Sequence, residues 1–233
     1  MGATFLSKYL NARFTNELVK PGETKQKGVV VTISRDTGCD ATPIVKELVK
    51  LLNSELKGPH KKTPWQFVSK EIFEQSAKEL NVKPEIFERL ESTKEKGFVE
   101  DLLHSLSTEG YPSEFKIKKT FKEVISSVAK GGGVIILGRG GVAIVGRSKR
   151  TIHIKLTAPL EWRVDNISKK KNFTKAKALK YVNEFDSKRD KFKKYYMGRK
   201  VQPTDFDMIL NVGTLSKKEI CSTVISLIHE RTQ

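Results

Sequence analysis

Residues 28–56 place a short apolar run directly before a small polar loop and the start of a helix. The run at 29–33 is almost entirely β-branched, which is typical of a strand buried on both faces of a parallel sheet. After the polar residues 34–41, Thr42 and Pro43 have the character of a helix N-cap and a first helical residue. A strand, loop and helix start of this kind directs backbone N–H groups and a helix dipole at a phosphate. The stretch therefore predicts an α/β fold with an anion site at this loop.

The rest of the chain continues the alternation of apolar runs with helical patterns. Further strands are predicted at 65–68, 134–137, 151–156 and 206–211. Further helices are predicted at 115–129, after residue 159, at 174–196 and at 216–231. Such alternation implies a mainly parallel sheet covered on both faces. Ligands of these sheets bind outside the carboxyl ends of the strands, where Ser34 and Gly138 lie.

The chain divides into an N-terminal arm, 1–27, and one main domain, 28–233. The arm contains an amphipathic helix at 4–19 and a polar linker, so it is expected to pack on the domain surface or to form a homodimer contact. Within the domain, an all-helical insert at about 69–112 and a basic lid at about 169–200 interrupt the alternation.

The composition favours a soluble protein that binds anions. Lys and Arg number 44 against 27 Asp and Glu, which gives 44 − 27 = +17. This charge predicts nucleotides, nucleic acid or an acidic membrane surface as partners. No apolar run approaches the length of a membrane helix, no secretory signal is visible, and Cys39 and Cys221 form no disulfide framework. A cytoplasmic protein with no membrane partner is the expectation, and the histidines show no metal-binding spacing.

Two stretches carry arginines that suit phosphate chemistry. The turn 138–141 puts Arg139 among three glycines at a strand end. Its guanidinium either binds phosphate oxygens in a fork or is solvated at a tight turn. In the long helix, Arg189 interrupts an apolar stripe, and Asp186 lies one turn earlier. That pair either ties the helix to the core or holds Arg189 toward a phosphate. The basic residues and aromatics at 188–200 also leave nucleic-acid binding open.

Two further residues have alternative roles at this stage. Arg163 begins a helix after a strand end and faces either the site or solvent. Cys39 either has a pKa lowered by a helix N-terminus or is a small filler of the loop.

The order of these pieces resembles the cytidylate kinase-like family, whose members are relatives of the nucleoside monophosphate kinases within the P-loop kinase fold. The residues that carry the resemblance are ISRDTG at 33–38, GRGG at 138–141, LTAPLEWRV at 156–164, D-x-x-R at 186–189 followed by KKYYMG, and FDMILNVGTL at 206–215. The N-terminal arm lies outside it.

The resemblance implies a three-layer α/β/α fold with a five-stranded parallel sheet, a helical substrate-binding insert and a mobile lid. It implies transfer of the γ-phosphoryl of ATP to CMP or a related small acceptor, with Mg²⁺. Arg139 and Arg163 would hold phosphates, and Arg189, positioned by Asp186, would be the lid arginine. The donor phosphates would be cradled by Ser34, Arg35, Asp36, Gly38, Cys39, Asp40, Ala41 and Thr42.

The phosphate loop departs from the pattern that the resemblance implies. A Walker loop has a lysine after its last glycine, and the family has G-S-G-G-R where this chain has Gly38, Cys39, Asp40, Ala41 and Thr42. The basic residue is missing, and Asp40 adds a negative charge. Lys46, one turn into the helix, is a candidate substitute. Two alternatives to a kinase therefore stay open: a catalytically degenerate nucleotide-binding protein acting as a sensor or partner module, and a nucleic-acid binder.

Overall fold

The computed structural model describes residues 28–54, 64–69, 74–75, 77–78 and 114–232. The N-terminal arm and almost all of the helical insert lie outside these residues, so the expectations for both stay predictions.

A five-stranded parallel sheet forms the centre of the fold, as predicted. The strands are β1 Val30–Arg35, β2 Gln66–Val68, β3 Val134–Leu137, β4 Thr151–Thr157 and β5 Met208–Asn211. Their spatial order is β2-β3-β1-β4-β5, so β1 lies in the middle. Every pairing is parallel, and β1 pairs with β3 from Val30 to Ile33 and with β4 along its whole length.

Helices cover both faces of the sheet and make the fold three-layered. The described helices are α1 Thr42–Ser54, α2 Glu114–Gly131, α3 Gly141–Ile144, α4 Leu160–Lys171, α5 Lys175–Met197 and α6 Lys217–Glu230. Apolar residues of α1 and α6 pack with Val31 and Ile33 on one face, while α2 and α3 pack with Val30 on the other. The unbroken β-branched run of β1 is thereby buried on both sides.

The predicted boundaries agree with the structure to within about two residues, with two small differences. Thr42 is the first residue of α1 rather than the residue before it. The last strand begins at Met208, because Pro203–Asp205 forms a 3-10 turn directly before it.

A buried histidine lies in the middle of the sheet. The Nδ1 atom of His153 is 2.7 Å from the Thr32 hydroxyl, and its Nε2 has no hydrogen-bond partner among the described residues. Burial lowers the pKa of His153 below its ordinary value of 6.5, more than the nearby Asp207 carboxylate raises it. The neutral imidazole is therefore the form that the folded protein accommodates.

We expect the melting temperature to fall between about pH 7.5 and about pH 5.5, and to fall less in His153→Gln. Because burial lowers the pKa of His153 in the folded protein, the unfolded chain takes up this proton at a higher pH than the folded protein does. The unfolded state then binds more protons, and stability declines as pH falls. Thermal unfolding at a series of pH values measures the effect. The control variant is His229→Gln, on the exposed surface of α6, whose melting temperature should change with pH as that of wild type does. If the melting temperature of His153→Gln fell with pH as much as that of wild type, His153 would not be the cause of the fall.

Candidate phosphate-binding site

The candidate site lies beside β1, where successive connections pass to opposite faces of the sheet. The chain passes from β1 to α1 on one face and from β3 to α3 on the other. A crevice opens between the carboxyl ends of two such strands, and it is the usual ligand site of a parallel α/β sheet. A pocket is found there, lined by Ser34, Arg35, Gly138, Arg139, Gly140, Arg189, Phe192 and Lys193.

The pocket is cationic. Arg35 and Arg139 reach it from the ends of β1 and β3, and Arg189 and Lys193 reach it from α5. None of the described residues that line it is acidic, although Lys193 also contacts the exposed Asp190 at 2.7 Å. Concave positive sites attract anions, and guanidinium groups bind phosphate oxygens in a fork. This arrangement is suited to a phosphate group.

The turn after β3 holds Arg139 in an unusual backbone conformation. Gly138, Arg139 and Gly140 have φ values of 72°, 54° and 65°. The left-handed region costs a non-glycine residue about 1 to 3 kcal/mol, and such strain is often found at functional sites. The Nε atom of Arg139 donates to the Ser69 carbonyl at 3.2 Å, which connects the ends of β2 and β3. The structure thus fixes Arg139 at the pocket and does not leave it as a solvated turn residue.

The Asp186 carboxylate connects the loop after β1 to α5, the helix of the predicted lid. Oδ1 of Asp186 accepts a hydrogen bond from the Thr37 backbone N–H at 2.7 Å. Oδ2 accepts one from Nη1 of Arg163, also at 2.7 Å. The same Arg163 donates from Nε to the Ala158 carbonyl and from Nη1 to the Thr37 carbonyl. Loop, α4 and α5 therefore meet at Asp186.

Arg163 and Arg189, the two arginines that contact Asp186, occupy different places. The Arg163 side chain is 12% exposed and faces the loop and Asp186, behind the pocket. Arg189 lines the pocket, donates from Nη1 to the Thr37 hydroxyl at 2.7 Å, and lies 3.7 Å from Asp186. The structure thus brings Arg139 and Arg189 into one pocket and places Arg163 and Asp186 as the network that supports it.

Both carboxylates of the loop are paired with lysines from other elements. Asp36 accepts from the Thr157 hydroxyl at 2.6 Å and lies 3.1 Å from Nζ of Lys155 in β4. Asp40 lies 2.8 Å from Nζ of Lys170 in α4, in a more exposed pair. The negative charge of the loop is therefore largely balanced from outside it.

The middle of the loop packs closely against α4. Gly38 has φ +97°, and a Cβ there would lie 2.7 Å from the Arg163 carbonyl oxygen, so only glycine fits. Cys39 is buried, and burial together with the Asp36 charge raises its pKa to about 12. The thiol is a core filler with no lowered pKa. Ala41 is also buried, whereas Thr42 is exposed in the first turn of α1.

The C-terminal half of α5 is anchored to the domain at two places. Phe192 and Tyr196 pack on Phe121 of α2, with ring centroids 5.6 and 6.1 Å apart. Beyond the helix, Arg199 forms two hydrogen bonds with Asp205, and these lower the pKa of Asp205 to about 2. Two of the aromatics that suggested nucleic-acid stacking are thus partly buried.

Sequence reasoning gave no individual role to three residues of this site, namely Thr37, Lys155 and Lys193. Thr37 joins the loop to Arg189 and Asp186, Lys155 pairs with the loop from another strand, and Lys193 lines the pocket. One usable signal was Lys155 itself, since a charged side chain between two core residues of a predicted strand requires a partner. The others are ordinary residues whose position only the fold determines.

Two classes of feature are missing from the described part of the chain. It contains no group of three or more His, Cys, Asp or Glu side chains close enough to hold a metal ion. None of its helices combines the length and apolar character needed to cross a bilayer.

The parallel sheet and the pocket beside its central strand define a protein of the kinase-like P-loop class. The pattern of the cytidylate kinase-like family matches residues 30–214, which include the five described strands and the predicted lid at about 169–200. The chain belongs to the cytidylate kinase-like family.

Solved structures and a curated relative resemble the chain at low identity. A crystal structure of an uncharacterized protein from Eubacterium ventriosum has a TM-score of 0.61 and 15% identity, covering 88% of this chain and 99% of that one. A shikimate kinase from Bacteroides thetaiotaomicron has a TM-score of 0.49 and 12% identity, covering 86% and 98%. A uronate isomerase from Corynebacterium glutamicum is 26% identical over 109 residues, 46% of this chain. The match spans 21% of that isomerase.

We expect Asp186→Asn to lower the free energy of unfolding by about 1 to 3 kcal/mol, because it removes a partly buried charge that accepts two hydrogen bonds. Urea unfolding followed by circular dichroism measures the change. Asp165→Asn is the matched control, since Asp165 is exposed and pairs with Lys175 on the surface. Asp165→Asn should lower the free energy of unfolding by no more than about 0.5 kcal/mol. Equal losses in the two variants would show that Asp186 does not hold the loop to the lid.

Proposed function

We propose that the protein is an ATP-dependent phosphotransferase of the nucleoside monophosphate kinase type, with CMP or a related small phosphorylated acceptor. The observation that carries the proposal is the pocket between β1 and β3, where Arg35, Arg139, Arg189 and Lys193 converge. Phosphoryl transfer depends mainly on positioning and on neutralising phosphate charge, which these groups suit.

The two halves of the site suit different substrates. The cationic pocket binds the acceptor phosphate, with Arg139 and Arg189 as its main ligands. The loop after β1 and the first turn of α1 bind the donor phosphates of ATP. Asp36 and Asp40 already pair with lysines, so the donor phosphates and water would supply most of the ligands of Mg²⁺, which would neutralise phosphate charge there.

The anchored lid supports this division of roles. Asp186 holds Arg189 within reach of both the loop and the pocket, so one guanidinium can contact a phosphoryl group that passes between them. Arginine–phosphate hydrogen bonds are charge-assisted and keep the reacting oxygens aligned.

A second candidate is a nucleotide-binding protein without catalysis. It is favoured by the missing loop lysine and by the Thr37 N–H, which is bonded to Asp186 and not directed to a phosphate. Such a protein keeps the cationic pocket and binds nucleotide without turnover.

Thermal unfolding with ATP, CMP, dCMP and sulfate, with and without Mg²⁺, followed by an ADP-release assay, tests both candidates. We expect stabilisation by ATP and by a monophosphate, since ligands raise the melting temperature by mass action, and ADP release when both are present. Arg139→Ala and Arg189→Ala should each lower kcat/KM by about 10² to 10³.

Arg150→Ala is the charge-matched control, because residue 150 precedes β4 at the opposite, amino end of the sheet and should keep wild-type kinetics. Stabilisation without ADP release would favour the binding protein. No stabilisation by any of these ligands would contradict both candidates.

A further inference from the structure

The charge that the phosphate loop lacks is available from a neighbouring strand. We propose that Lys155 of β4 replaces the missing loop lysine and binds the β- and γ-phosphates of ATP, an inference that rests on the proposed function. In a Walker loop a lysine follows the last glycine, whereas in this chain Cys39 follows Gly38.

The register of the sheet places Lys155 beside the start of the loop. Its Cα pairs with that of Ser34, the residue at which the predicted loop begins. Its Nζ lies 3.1 Å from Oδ1 of Asp36, and its side chain is 29% exposed. The ammonium group is thus held against the loop, on a side chain that stays partly exposed.

Side chains alternate between the two faces of β4, and this alternation directs Lys155 away from the core formed with α1 and α6. Ile154 and Leu156 belong to the core shared with α1 and α6, so Lys155 lies on the opposite face of the strand. Thr157 lies on that same face, and its hydroxyl donates to Oδ2 of Asp36. Asp36 is therefore held by two groups of β4, and the lysine is fixed between strand and loop.

The chemistry allows Lys155 to hold a phosphate without losing Asp36. An ammonium group has three N–H donors, of which the Asp36 carboxylate requires one. The others can donate to phosphate oxygens. Asp36 is then a positioning residue that keeps the ammonium group at the loop.

Other lysines near the loop are less suitable. Lys46 is exposed on the surface of α1. Lys170 pairs with Asp40, but its side chain is 60% exposed, so solvent screens its charge strongly. Lys155 combines proximity, restricted exposure and a fixed carboxylate partner.

The experiment measures the affinity for MgATP, MgADP and AMP by thermal unfolding. It compares wild type with Lys155→Ala, Lys155→Arg and the double variant Lys155→Ala/Asp36→Asn. Lys155→Ala should weaken ATP and ADP binding by about 10-fold to 100-fold and leave AMP binding unchanged, since AMP has no β- or γ-phosphate. Lys155→Arg should recover part of the affinity. Lys175→Ala, which breaks a surface lysine–aspartate pair, is the matched control and should bind all three like wild type.

The double variant separates the two roles that Lys155 could have. It removes both charges of the pair, so a lysine that only neutralises Asp36 would no longer be needed and ATP affinity would recover. Continued weak binding of ATP is the result we expect. Recovery in the double variant, or unchanged ATP affinity in Lys155→Ala, would overturn the inference and leave the proposed function intact. A wild type that no nucleotide stabilises would overturn the proposed function and this inference together.

Discussion

The hydrogen bonds of the Asp186 carboxylate are the contacts on which the arrangement of the site depends. One oxygen accepts from the loop backbone at Thr37, and the other accepts from Arg163, which itself donates to carbonyls of Ala158 and Thr37. A partly buried carboxylate of this kind is stable only when its partners are in place. Helix α5 is thereby connected to the loop that follows the central strand, and Arg189 is brought to the pocket.

Charge at the site is distributed between elements and not concentrated in one motif. In a Walker loop one segment provides the glycines, the backbone donors and the lysine. Here β1 and its loop provide Gly38 and two aspartates, while the compensating lysines come from β4 and α4. The pocket receives its arginines from β1, the β3 turn and α5. An unusual loop sequence is thus compatible with an electropositive site.

Most of the fold could be predicted because its strands are locally distinctive. The largely β-branched runs at 29–33 and 134–137 became central strands, since strands covered by helices on both faces are mostly apolar. The run at 151–156 became β4, in which Ile152, Ile154 and Leu156 belong to the core and Lys155 lies on the other face. The apolar stripe of α5 also predicted the inward packing of Phe192 and Tyr196. The roles of Cys39 and Arg163 stayed ambiguous because exposure and partners depend on α4, which packs on the loop from more than a hundred residues away.

The sequence by itself determined the alternating α/β pattern, the strand ends at which a ligand site had to lie, and the arginines and glycines present there. These follow from periodicity and residue chemistry, which act over a few neighbours in the chain. Only the tertiary structure decided that Arg139 and Arg189 share one pocket, that Asp186 bonds the loop, and that Lys155 stands beside it. The physical reason is that strand register and helix packing bring together side chains that no local pattern relates.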